Sequence, residues 1–277
     1  MASTGDYVEP SGKGKMVRNV RLIARLDVKA PNLVKGIQFE GLRKLGDPNE
    51  FARRYYHDGV DEIYCEDIVA SLYERSSLLD IIERTTRDIF VPVTVGGGLR
   101  SVDDVAAVLR AGADKVAVNT AAIKNPSIIS DIARRFGSQC MVLSIQAKKQ
   151  DDSWEAYFDN GREHSGVDVV QWAEQGQALG AGEILVTSVD REGTATGFDL
   201  SLLREVSDRV DIPVIASGGM GCAQDLVDAV MLGKVDAVAM AHALHYGICS
   251  LKELRDTCWS QNIPVRNRQD RNGSTPT

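Results

Sequence analysis

Short runs of β-branched and aliphatic residues alternate with longer amphipathic stretches along most of the chain. The runs predict strands over 20–27, 61–67, 91–96, 114–119, 140–146, 182–189, 212–217 and 235–241. Apolar positions spaced three and four apart predict helices near 48–58, 75–88, 101–111, 126–136, 167–179, 199–209, 222–232 and 250–261. Alternation of strand and helix implies parallel pairing through right-handed crossovers. Eight such units fit one closed (β/α)8 TIM barrel of the α/β class. An open doubly wound sheet is the rival, but it needs a reversal of strand order that a tandem pattern does not supply. Two intervals break the alternation. Residues 28–46 read as a long loop after the first strand, and 147–166 as a hairpin excursion after the fifth.

The halves repeat. Ile63, Pro92, Gly97, Gly98 and Gly112 have counterparts 121 positions later in Ile184, Pro213, Gly218, Gly219 and Gly233. At the start of each copy, Leu26-Asp27-Val28-Lys29 answers to Ile145-Gln146-Ala147-Lys148. The expected architecture is therefore a barrel of two duplicated half-barrels over 17–262, between a polar extension at 1–16 and a polar tail at 263–277. Within that symmetry Asp27 faces Gln146. A carboxylate can shuttle protons near neutral pH, whereas an amide cannot.

Composition narrows the function classes. Hydrophobic residues make up 43% and charged residues 26%, which suits a large packed core. A net charge of −7 argues against a general nucleic-acid or anionic-membrane surface. No apolar run reaches the roughly 20 residues of a membrane helix. The first sixteen residues lack a signal-peptide core, and the five cysteines form no C-x-x-C pair, so a cytoplasmic setting is expected. The four histidines lack ligand spacing, so no metal and no cofactor is expected.

The candidate chemistry sits at strand ends, where barrels of this kind build their sites. VTVGGGLRS at 93–101 and IASGGMGCAQD at 215–225 each combine a strand, a glycine cluster and a helix start. Such clusters let backbone N–H groups approach an anion, and they also simply make tight turns. Their symmetric repetition favours two phosphate cradles: Gly97, Gly98, Asn119 and Thr120 in one half, and Gly218, Gly219, Ala241 and His242 in the other, with Gly193 nearby. Two cradles on one rim suit a ligand with a phosphate at each end.

At this level the chain resembles the cyclase subunit of imidazole glycerol phosphate synthase across roughly 17–262. The matching motifs include LDVK…LVKG at 26–36, GDP at 46–48, DEIYCEDIVAS at 61–71, TVGGGLRS at 94–101, GADKVAVNT at 112–120, GAGEILVTSVDREGT at 180–194 and IPVIASGG at 212–219. The resemblance implies a glutaminase partner at the N-terminal face and passage of ammonia through the barrel. It implies a bisphosphorylated nucleotide at the C-terminal rim, where two aspartates act as acid and base. Asp27 matches the first aspartate, and Gln146 stands in place of the second. Arg21, Glu62, Lys115 and Glu183 match a charged ring gating the ammonia entrance; by position alone they would equally form a structural ion-pair layer. Asp114 matches a residue that contacts the glutaminase, and Lys35 a mobile-loop lysine that meets the ligand. Asp67 is shared, either as a functional group or as a buried acceptor. Glu192 and His242 replace a usual aspartate and serine, and His245 matches a histidine that either serves the site or only packs.

A cyclase without the second aspartate should be severely impaired, since general acid–base assistance is worth about 10²–10⁴-fold. Divergent relatives of this subunit are thought to pass ammonia to a separate amidotransferase that builds an acetamidino sugar for surface polysaccharide. The segments 23–36 and 66–77 resemble that branch. The leading expectation is thus ammonia delivery to a sugar amidotransferase. The alternatives are an active histidine-pathway cyclase and a non-catalytic scaffold barrel.

Overall fold

The computed structural model describes residues 19–69 and 75–267. The expected extension over 1–16, the end of the polar tail and the middle of segment 66–77 lie outside the described residues. The chain runs β1 (Arg21–Lys29), β2 (Asn32–Ile37), β3 (Glu40–Gly46), α1 (Pro48–His57), β4 (Glu62–Asp67), α2 (Arg75–Asp88), β5 (Val93–Gly96), α3 (Val102–Arg110) and β6 (Lys115–Val118). It continues through α4 (Thr120–Lys124), α5 (Ser127–Phe136), β7 (Met141–Gln150), β8 (Ser153–Phe158), β9 (Glu163–Asp168), α6 (Val169–Leu179) and β10 (Glu183–Ser188). The last elements are α7 (Leu200–Arg209), β11 (Val214–Ser217), α8 (Ala223–Met231), β12 (Ala237–Met240), α9 (His242–His245) and α10 (Leu251–Ser260).

Strands β1, β4, β5, β6, β7, β10, β11 and β12 pair in parallel, and β12 returns to β1, which closes the expected (β/α)8 barrel. Period-two alternation divides each strand's residues between the two faces of the barrel wall. Leu22, Ala24 and Leu26 of β1 belong to the large core between strands and helices. Ile23 belongs instead to a separate column with Tyr64, Ala117, Val142, Leu185, Ile215, Ala237 and Ala239, which fills the barrel interior.

The two halves share stereochemistry as well as sequence. Gly97 and Gly218 have φ of 87° and 88°, a region only glycine enters readily, so both cradles turn in the same way. Asp104 Oδ2 accepts from the backbone N–H groups of Arg100 and Ser101, and Asp225 Oδ2 does the same for Gly221 and Cys222. These carboxylates satisfy orphan donors at the starts of α3 and α8.

The sequence pattern misses four elements. Residues 28–46 are not a loop: β2 and β3 form an antiparallel hairpin on β1. Its tip, Gln38-Phe39, takes positive φ at both residues, and Phe39 is buried. Burial of one hydrophobic residue at the tip is a tertiary effect that local alternation does not announce. The short helices α4 and α9 follow β6 and β12 where only strand ends are expected. The hairpin excursion is present as β7–β8–β9. Packed chain also runs past 262: Ile263 and Val265 are buried, and Val20 N–H donates to Pro264 O at 2.7 Å.

Candidate functional site

At the N-terminal end of the barrel, Arg21, Glu62, Lys115 and Glu183 start four of its strands and close a ring of alternating charge. Arg21 Nη1 lies 2.6 Å from Glu62 Oε1 and 3.0 Å from Glu183 Oε1. Lys115 Nζ lies 3.2 Å from Glu62 Oε2 and 3.1 Å from Glu183 Oε1. Burial opposes the charge on Arg21, but Glu183 and Glu62 outweigh it and raise the guanidinium above its usual value. Each cation thus touches both anions, and no member carries an uncompensated charge.

Asp114 lies beside this ring, with its Oδ2 accepting from Val93 N–H at 2.8 Å. Asp236 does the same for Val214 N–H at 3.0 Å in the other half. The repeated bond accounts for an aspartate at 114 without any partner, although the residue is exposed enough to meet one.

At the opposite rim Asp27 is buried and doubly paired. Arg25 Nε donates to Oδ1 at 2.8 Å, and Lys35 Nζ to Oδ2 at 2.9 Å. Burial opposes ionisation of Asp27, but Arg25 and Lys35 hold its carboxyl well below the usual range. A carboxylate so held is a poor base. Lys35 is not on a mobile loop: it sits on β2, buried, and its Nζ also donates to Glu192 Oε1. Lys35, expected to meet a ligand, is in this structure paired with Asp27 and Glu192. Arg25 continues across the barrel, its Nη1 donating to Thr187 Oγ1 at 3.3 Å and Ser217 Oγ at 3.0 Å. Its guanidinium lies 5.5 Å from the ring centroids of Phe39 and Tyr64.

Gln146 projects into a cavity of about 320 Å³ lined with Glu66, Gly97, Gly98, Asn119 and Thr120. The glycine turn of the first half thus opens onto the cavity that Gln146 also lines. Asp67 also lines it, and its Oδ1 accepts from Val69 N–H at 3.0 Å. Arg100 and Lys124 add positive charge to the wall. Gln146 Oε1, Asn119 Oδ1 and Tyr64 Oη are buried without a hydrogen-bond partner. Glu66 is also buried, and burial pushes its carboxyl up to about 7, with Asp27, Asp67 and Glu192 adding and Arg25 opposing.

The second cradle is different. Gly193, Gly218, Gly219, Ala241 and His242 do come together, but around a cleft of only about 20 Å³ shared with Arg25 and Glu192. A methyl group on Gly218 would lie 3.2 Å from Glu192 Oε2, so a carboxylate stands beside the second glycine turn. Burial and the Lys35 cation lower the His242 imidazole below its usual value. The two cradles thus differ in the space they enclose, about 320 Å³ in the first half against about 20 Å³ in the second. His245 packs: Tyr55 Oη lies 2.7 Å from its Nδ1, and burial pushes its imidazole down to about 3.

Arg25, Tyr64 and Glu66 were not singled out by sequence. A signal existed: once Arg21 and Glu62 are placed inward, period two also turns 25, 64 and 66 inward. Among the described residues no His, Cys, Asp and Glu side chains group in a way that could hold a metal ion.

A barrel with an ion-pair ring at one end and its polar residues gathered at the C-terminal strand ends is organised as barrel enzymes are. The chain belongs to the histidine biosynthesis protein family, whose model matches residues 21–250. It is similar to the protein named imidazole glycerol phosphate synthase subunit HisF of Legionella pneumophila, 63% identical over 204 residues that cover 73% of this chain and 96% of that protein. Proteins of the same name from Dehalococcoides mccartyi and Myxococcus xanthus are each 48% identical, over 90% and 89% of this chain and 98% and 97% of their own lengths. No helix among the described residues is long and apolar enough to cross a membrane.

Proposed function

We propose that this chain is the barrel subunit of a glutamine-dependent complex of the imidazole glycerol phosphate synthase type. It takes ammonia from a glutaminase partner at its N-terminal face and delivers it through the barrel to the C-terminal rim. Its ligand there is anionic at one end, and the ammonia serves a sugar amidotransferase in acetamidino-sugar synthesis. The observation that carries this reading is the contrast at the rim. One anion cradle is open, whereas the other is filled by Glu192, and Asp27 is tied to Arg25 and Lys35 opposite Gln146. A ligand with two phosphates has one seat here, and neither position 27 nor position 146 offers a free base. The ring of Arg21, Glu62, Lys115 and Glu183 supports ammonia entry, because four mutually paired charges can part and re-pair around a small neutral molecule.

The test mixes the purified chain with a glutaminase of this family and measures complex formation and stimulated glutamine hydrolysis. Absence of both overturns the delivery reading. A second reading, histidine-pathway ring closure, is favoured by the name shared by the relatives and by the retained Asp27. Turnover of the bisphosphorylated ribulosyl-formimino carboxamide nucleotide with ammonium salts would establish that reading and overturn the first. In that case Gln146→Asp should raise turnover by about 10²-fold or more.

A further inference from the structure

The first-half cavity contains more hydrogen-bond acceptors than an anion site needs. Beyond the glycine cradle, its inner wall carries the Glu66 carboxylate and the carbonyl oxygen of Gln146, which is 5% exposed. Gln146 Oε1 has no donor, and neither does Asn119 Oδ1, whose own amide nitrogen is committed to Tyr157 O at 3.2 Å. Beneath them the buried Tyr64 hydroxyl is unpartnered too. A methyl group on Gly96 would lie 2.5 Å from Tyr64 Oη and 3.1 Å from Glu66 Oε2. The absence of a side chain at 96 is therefore what lets the hydroxyl and the carboxylate share one space over β5. Among the described residues, no hydrogen bond to the Glu66 carboxylate figures among the influences on it. Leaving buried acceptors unpaired is unfavourable, so three near one carboxylate mark the seat of a ligand rich in N–H groups.

We propose that this pocket binds ammonium, with Glu66 as its counter-ion and Gln146 Oε1, Asn119 Oδ1 and Tyr64 Oη accepting its hydrogens. Ammonia that arrives neutral takes up the proton of the Glu66 carboxylic acid to become ammonium, and on release one N–H bond breaks and that proton returns to Glu66 Oε2, leaving neutral ammonia with a free lone pair. The carboxylate becomes a carboxylic acid, so charge and atoms balance without any further reactant. Three acceptors on the cavity wall, with the Tyr64 hydroxyl beside Gly96 as a fourth, match the four hydrogens of ammonium, and a carboxylate lifted by burial holds a proton more readily than an exposed one. The charged groups facing Glu66 are Arg25 and Asp27 from β1, Asp67 from its own strand and Glu192 from the loop after β10. Arg100, Lys124 and Asp159 stand further along the cavity wall. The proposal rests on the reading that ammonia reaches this rim, and it places the receiving group at 66, where the amide at 146 can only orient.

Ammonium chloride added to the whole chain tests the pocket without the partner or the passage through the barrel. The thermal midpoint and the 13C shift of the Glu66 carboxyl are followed against ammonium, with potassium and tetramethylammonium chloride at equal ionic strength as references. Ammonium should raise the midpoint saturably and shift the Glu66 titration to lower pH. Glu66→Gln should weaken ammonium binding by about tenfold or more, with smaller losses for Tyr64→Phe and Gln146→Leu. An equal response to potassium or tetramethylammonium overturns the proposal, and so does an unchanged ammonium response in folded Glu66→Gln. Failure here with glutaminase binding intact removes the pocket and leaves delivery standing. The reverse result leaves the pocket and removes the delivery reading.

Discussion

The two halves of this barrel keep the same main-chain devices and part company in their side chains. Gly97 and Gly218 turn alike, Asp104 and Asp225 cap alike, and Asp114 and Asp236 tie the preceding strand alike. Yet one glycine cradle opens onto a cavity of about 320 Å³ and the other onto about 20 Å³. What separates them is one side chain crossing the axis. Arg25 starts on β1, neutralises Asp27, and ends on Thr187 and Ser217 of β10 and β11, which places its bulk in the second half. Lys35 and Glu192 complete the closure. Backbone symmetry thus survives where matching aspartate carboxylates hold main-chain N–H groups in both halves, and is lost where inward side chains decide what fits.

Removing the crossing arginine should disturb this contrast most. Arg25→Met leaves Asp27 with Lys35 alone and strands the two hydroxyls, so unfolding in urea should show a loss of about 4 kcal/mol. If the guanidinium is the wedge, the same variant should widen the second cleft. A loss below about 1 kcal/mol would show that Arg25 does not hold the second half shut.

The next effect is one of pH. Folding favours the protonated form of Glu66, whose carboxyl titrates near 7 in the folded chain against an ordinary 4.5. Its contribution is therefore complete below pH 4.5 and is lost as pH rises through 7. Stability should fall by about 3 kcal/mol across that window, and Glu66→Gln should flatten this part of the profile. An unchanged slope in the variant would assign the titration elsewhere.

Inorganic phosphate offers a direct comparison of the cradles. Amide shifts at Gly97, Gly98, Asn119 and Thr120 should saturate at least about tenfold more tightly than those at Gly218, Gly219 and His242, a difference of about 1.4 kcal/mol. Equal affinities would abolish the distinction between open and closed cradles.

The smallest effects concern the symmetric pair. Asp114→Ala and Asp236→Ala each remove an acceptor from a strand N–H, and each should cost about 1–2 kcal/mol in urea unfolding. Only Asp114→Ala should also weaken a glutaminase complex. Equal weakening by both would reduce Asp114 to its structural bond.

Much of this was legible in the chain. Period-two and period-3.6 patterns placed all eight barrel strands and the eight long helices, because each element buries a continuous face against the same core. The repeat offset paired the cradles and set Asp27 against Gln146, and the four ring residues fell on strand starts where they do meet. The β2–β3 hairpin was not legible, since its tip is buried by Arg25 and the rim rather than by its own alternation. The short helices α4 and α9 are too brief to show a period.

By itself, the sequence determined the barrel, its internal duplication, the family and the set of charged residues available to a site. Local periodicity and backbone turn chemistry are properties of neighbours along the chain, and they survive in one dimension. Only the tertiary structure decided which of those charges were already spent on one another. Lys35 on Asp27 and Glu192, Arg25 across the axis, and Glu66 left with unpaired acceptors in the open cavity all depend on distances between strands that sequence spacing does not contain.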